Sequence, residues 1–229
     1  MNDYQLKKCY ICGIENADSV DHIPPKNLFL KKYRNKGSDL VTVPAHQKCN
    51  KKFEKDDEYF RYFLLIPAYW ESELARELWD AKIAKQIHRL ESKGFKNYLI
   101  QHLIPVELST PSGIYLGDAE AAALDPKRTD RVIKRIARGI FYKKTQNILP
   151  LKWSVDVQML HPVHRKDRIK LETQERLISI GNGIFKYFWR HTQEDKRISL
   201  FWFVFFDCVD FLVFTGLDKS WQNNQLLNV

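Results

Sequence analysis

Three cysteines and a histidine stand in two short pairs, Cys9-x-x-Cys12 and His46-x-x-Cys49. Two residues three apart, in a tight turn or at a helix start, can aim both side chains at one ion, and Gly13 lets the first turn bend. Three thiolates and one imidazole match the closed four-ligand sites that zinc favours, so Cys9, Cys12, His46 and Cys49 read as a structural zinc site. The alternative is that the pairs are buried residues brought near one another by coincidence. Between them lies Asp21-His22-Ile23-Pro24, and Asn50 follows the last cysteine directly. An imidazole titrates near neutral pH and can take a proton from water, while carboxylate and carboxamide oxygens suit Mg²⁺ or Mn²⁺. With His22 as general base and Asp21 and Asn50 as ligands of a divalent ion, the set has the groups that phosphodiester hydrolysis needs.

These residues need elements to hold them. Residues 1 to about 66 are dense in Pro, Gly, Asn and Asp, which predicts turns and short strands, with a helix beginning at about Cys49. A second amphipathic stretch runs from Glu71 to Lys93. The apolar runs Ile104 to Leu108 and Ile114 to Leu116 fit either strands or connections. Asp125-Pro126 opens a helix expected over Lys127 to Lys144, with Val132, Ile133, Ile136 and Ile140 as its buried stripe. From Trp153 to Leu160 and from Gly183 to Gly216 the residues turn aromatic and β-branched, which predicts an antiparallel meander packed on helices.

The motif order is similar to that of the HNH endonuclease family: Cys-x-x-Cys, Asp-His-Ile-x-Pro, an apolar strand, then a second zinc pair followed at once by Asn. The resemblance covers about residues 7 to 64. It implies a treble-clef-like ββα-metal fold braced by structural zinc, with Asp21 and Asn50 binding one catalytic Mg²⁺ or Mn²⁺ and His22 acting as general base. It also implies DNA as substrate, cut to 5′-phosphate and 3′-hydroxyl ends. Two departures are visible. The family's middle Asn, which braces the catalytic loop, falls near Ser38-Asp39-Leu40, where Asp39 replaces it and cannot donate a hydrogen bond. The second zinc pair is His-x-x-Cys where Cys-x-x-Cys is commoner. The stretch Arg131 to Tyr142 is similar to the C-terminal part of stand-alone bacterial HNH proteins, which are associated with host defence, including antiviral defence, or with mobile-element biology.

The expected architecture is α+β, with a zinc-binding nuclease module over 1–66 and, over 67–229, a domain of helices packed on an antiparallel sheet. The 229 residues carry 37 Lys plus Arg against 28 Asp plus Glu, a net charge of +9 that suits a polyanionic partner. Lys31, Lys32 and Arg34, and Lys48, Lys51 and Lys52 around Asn50, are candidate phosphate contacts. Arg128, Arg131, Arg135 and Arg138 form either a second phosphate-tracking face or a merely solvated one. The run Glu54, Asp56, Asp57, Glu58 reads as a solvated helix face, although Glu54 could approach the metal. Cys208 reads as a core residue, His161 and His164 as loop, and His88, His102 and His191 carry no pattern.

No secretory signal is visible, and Asp207 and Asp210 interrupt the apolar stretch from Ile198 to Phe214, so a cytoplasmic chain without a membrane span is expected. A partner subunit or a homodimer through the C-terminal domain is a further expectation. The reading from another class is a non-catalytic zinc module that binds nucleic acid or a protein.

Overall fold

The computed structural model describes residues 7–34, 40–84, 101, 103–110, 112–122, 125–160 and 176–216. It is α+β with antiparallel sheets. Strands β1 (Ser19–Ile23) and β2 (Val41–Ala45) form a two-stranded sheet in which Asp21 lies opposite Val43 and His22 opposite Thr42. Two helices follow, α1 (Gln47–Lys51) and α2 (Glu54–Ala68), separated by Lys52 and Phe53. The helix expected from Cys49 thus starts two residues earlier and is interrupted once. Helix α3 (Glu73–Leu78) runs into a π-helical turn, Trp79–Ala84; residues 85–93 of the second amphipathic stretch lie outside the described residues.

The two apolar runs whose pairing the sequence leaves open form a hairpin, β3 (Leu103–Ser109) against β4 (Tyr115–Ala122). Helix α4 (Pro126–Thr145) is opened by Asp125, whose carboxylate accepts a hydrogen bond from the Lys127 amide at 2.9 Å, and closes on Gln146 in the left-handed conformation. Its stripe of Val132, Ile133, Ile136 and Ile140 is buried. The remaining strands, β5 (Ser154–Met159), β6 (Ile178–Ile180), β7 (Phe185–His191), β8 (Ser199–Phe205) and β9 (Val209–Gly216), make one antiparallel sheet in the order β5-β9-β8-β7-β6. The apolar stretch from Ile198 to Phe214 is therefore a strand pair. No helix among the described residues is long and apolar enough to cross a membrane.

A single buried cluster runs from Cys9 to Val213. The boundary between residues 66 and 67 falls inside α2, whose Phe60 packs edge-on against Phe205 at 5.4 Å and against Phe211 at 6.3 Å. Aromatic pairs of this kind add to the area they bury, so α2 is tied to the C-terminal sheet as well as to its own neighbours. Helix α4 closes over both. At Gly139 a Cβ would meet Ile23 at 2.5 Å, so only glycine lets α4 approach β1 this closely.

The four arginines of α4 do not form a free basic face. Arg128 and Arg131 bind the buried Asp56 at 2.9 and 3.0 Å, and Arg135 binds Asp57 at 2.5 Å. Arg138 donates to the carbonyls of Leu149 and Pro150 at 2.6 and 2.9 Å. The acidic run on α2 is corrected by the same contacts: Glu54 and Glu58 are exposed, but Asp56 and Asp57 turn inward to meet α4. Helix-to-helix charge pairing, rather than solvation, accounts for Arg128, Arg131 and Arg135 on one side and Asp56 and Asp57 on the other.

Candidate functional site

Cys9 and Cys12 lie in a turn closed by the Gly13 amide donating to the Cys9 carbonyl at 2.8 Å, with Gly13 at φ 79°. His46 and Cys49 sit at the start of α1, where His46 is the N-terminal flanking residue. The four ligand atoms lie within 4.8 Å of one another, with Cys12 Sγ 3.4 Å from His46 Nδ1. Zn–S bonds of about 2.3 Å set tetrahedral ligand atoms roughly 3.8 Å apart, so this cluster could hold a zinc ion. The other ring nitrogen, Nε2, is 3.0 Å from the carbonyl of Glu15, a contact that fixes the ring with Nδ1 towards the thiols. The same carbonyl raises the pKa of His46.

Beyond the cluster an open cleft of about 490 Å³ lies between β1 and the two helices. Asp21 and His22 of β1 line it, with Asn50 of α1 opposite. Lys26, Lys51, Glu54 and Asp57 complete the part that matters chemically. The structure thus brings the three residues of the motif to one cavity. Burial, together with the charge of Lys26, lowers the pKa of His22 despite the adjacent Asp21 carboxylate. Both effects favour the neutral form of this half-buried imidazole.

Asp21 is almost fully buried and is not a bare carboxylate. Its Oδ2 accepts a hydrogen bond from the Tyr10 hydroxyl at 2.5 Å, and Arg135 NH1 stands 3.7 Å from the same oxygen. Burial and the neighbouring Asp21 charge push the Tyr10 phenol well above its usual range, so it remains a donor. Burial works against the Arg135 charge, but Asp21 and Asp57 outweigh it and Arg135 stays protonated. Asp57 is the softer partner, its carboxyl pushed up to about 6 by burial against the pull of Arg135.

The candidate phosphate contacts divide. Lys51 lines the cleft, and Lys31, Lys48 and Lys52 are exposed. Lys32 is ion-paired with Glu77, and Arg34 donates to the Lys26 carbonyl at 2.7 Å. Sequence reasoning missed Tyr10, Lys26, Asp57 and Arg135. One signal was present for Arg135: it falls in register with Val132, Ile136 and Gly139, a charge on the apolar stripe of its helix. Asp39, proposed to replace the family's middle Asn, lies outside the described residues, as do His88, His102, His161 and His164. His191 ends β7 with its ring tilted against that of Trp189, and Cys208 packs at the rim of the core.

No protein-family model, curated protein or solved structure matches the chain. The HNH resemblance therefore rests on the residues of the motif themselves.

Proposed function

We propose that this chain is a metal-dependent HNH endonuclease that hydrolyses DNA phosphodiester bonds. The observation that carries the reading is the convergence of Asp21, His22 and Asn50, from β1 and α1, on one cleft flanked by Lys26 and Lys51. The oxygen donors of Asp21 and Asn50 suit a hard divalent cation, with Glu54 and Asp57 adding negative charge to the same cavity. Bound there, Mg²⁺ or Mn²⁺ would stabilise charge on the phosphoryl and leaving oxygens.

His22, neutral at working pH, takes the proton of the attacking water. Lys26 and Lys51 hold the phosphates on either side without reading sequence. The Cys9, Cys12, His46 and Cys49 cluster, with zinc bound, ties the turn before β1 to the start of α1 and so keeps His22 facing Asn50. A role in host defence, including against viruses, is what the family resemblance implies, and cytoplasmic residence, expected because no secretory signal is visible, belongs to the same proposal.

The experiment is plasmid cleavage by the purified chain with Mg²⁺ or Mn²⁺, with EDTA and His22→Ala as controls. Nicking or linearisation that requires both metal and His22 supports the nuclease. One observation favours a second reading: the Asp21 carboxylate is already engaged by Tyr10 and Arg135, as a purely structural residue would be. In that case the chain is a non-catalytic zinc module, and the assay shows salt-sensitive DNA binding without product and without any effect of Mg²⁺.

A further inference from the structure

Both contacts to the Asp21 carboxylate fall on one oxygen. Tyr10 donates to Oδ2, and Arg135 NH1 stands 3.7 Å from it, whereas no hydrogen bond from the described residues reaches Oδ1. The two groups come from opposite sides of the sequence. Tyr10 follows the zinc-cluster residue Cys9, and its amide donates to the Pro44 carbonyl of β2 at 3.0 Å. Arg135 enters from α4, anchored by Asp57 and laid over the Phe53 ring at 4.6 Å.

Arg135 is 2 % exposed, yet its NH1 and Nε have no hydrogen-bond partner. A buried donor left unmade is costly, and NH1 has the Asp21 oxygen within a small movement. We infer that Tyr10 and Arg135 are positioning residues for Asp21, holding Oδ2 on the protein side so that Oδ1 is the oxygen offered to a divalent cation in the cleft. The inference rests on the nuclease reading of that cleft. It gives the C-terminal helix a part in assembling the N-terminal site, which the motif alone does not disclose.

The test is Mn²⁺ binding to the full-length, zinc-loaded chain, followed by calorimetry and by the electron spin resonance of free Mn²⁺. Asp21→Asn should abolish binding in the cleft. Tyr10→Phe and Arg135→Lys should each weaken it ten- to a hundredfold, as loss of an outer partner of a metal ligand does, with zinc content and circular dichroism unchanged. Saturating Mn²⁺ should restore cleavage by Tyr10→Phe, because the defect is one of metal affinity and not of rate. Tyr10→Phe removes one hydroxyl and keeps the ring, so it decides the case even where Arg135→Lys fails to fold. Wild-type affinity in Tyr10→Phe, with binding still lost in Asp21→Asn, overturns the positioning role and leaves the nuclease reading standing. A wild-type chain that binds no Mn²⁺ overturns both.

Discussion

Gly139 of α4 and Ile23 of β1 are in such close contact that a Cβ on the glycine would sit 2.5 Å from Ile23 Cγ1. Ile23 is buried and follows His22 directly, so it has no room to yield. Gly139→Ala gains about 1 kcal/mol of helix propensity but overpacks this contact, which costs about 1 to 3 kcal/mol. The expected result is a net loss of about 1 kcal/mol, seen as a lower urea midpoint. A raised midpoint would show that the Gly139 contact with Ile23 is not as close as this.

Arg135 compensates two carboxylates, Asp57 at 2.5 Å and Asp21 at 3.7 Å. Arg135→Met leaves both without their cation and should cost about 3 to 5 kcal/mol, the usual result of breaking a buried pair from one side. Adding Asp57→Asn should recover part of that loss. A double variant no more stable than Arg135→Met would refute the pairing.

The cysteine and histidine cluster makes its own prediction. The purified chain should carry one equivalent of zinc, and Cys9→Ser should lose both the metal and the ordered N-terminal region, since metal binding and folding are coupled in such sites. A strong chelator should lower the melting temperature. Full zinc content and unchanged melting in Cys9→Ser would remove zinc from the account.

His22 should titrate below the ordinary histidine value of 6.5 in metal-free protein, because burial and then Lys26 disfavour its charged form. Nuclear magnetic resonance of the ring carbons reads this directly. Lys26→Gln should move the midpoint part of the way back up, because only the charge contribution is removed. A midpoint at or above 6.5 in the wild type would contradict the burial.

What the sequence could disclose depended on how local each cause was. The buried stripe of α4, the aspartate that opens it and the strand pair between Ile198 and Phe214 all follow from neighbours within a few residues, and each is in the structure close to where periodicity placed it. Asp21, His22 and Asn50 could be grouped because their order among the two Cys and His pairs resembles that of the HNH motif. The charges misled for the converse reason. Asp56 and Arg131 each look like solvated helix residues when read alone, and only the packing of α2 on α4 shows that they face each other. Tyr10 was silent, and Arg135 was read as a surface charge, because nothing local links either of them to Asp21.

The contact of Phe60 with Phe205 and Phe211 has a consequence for how the chain comes into being. During synthesis Phe211 emerges about 150 residues after Phe60, which at 5 to 20 residues per second is a wait of roughly 8 to 30 s. Until then α2 can rest on α3 and α4 but lacks the sheet face that Phe60 meets. All the residues that line the cleft, Ser19 to Asp57, therefore leave the ribosome well before the strands that pack on α2, and the N-terminal site is assembled in two stages, lining first and backing later.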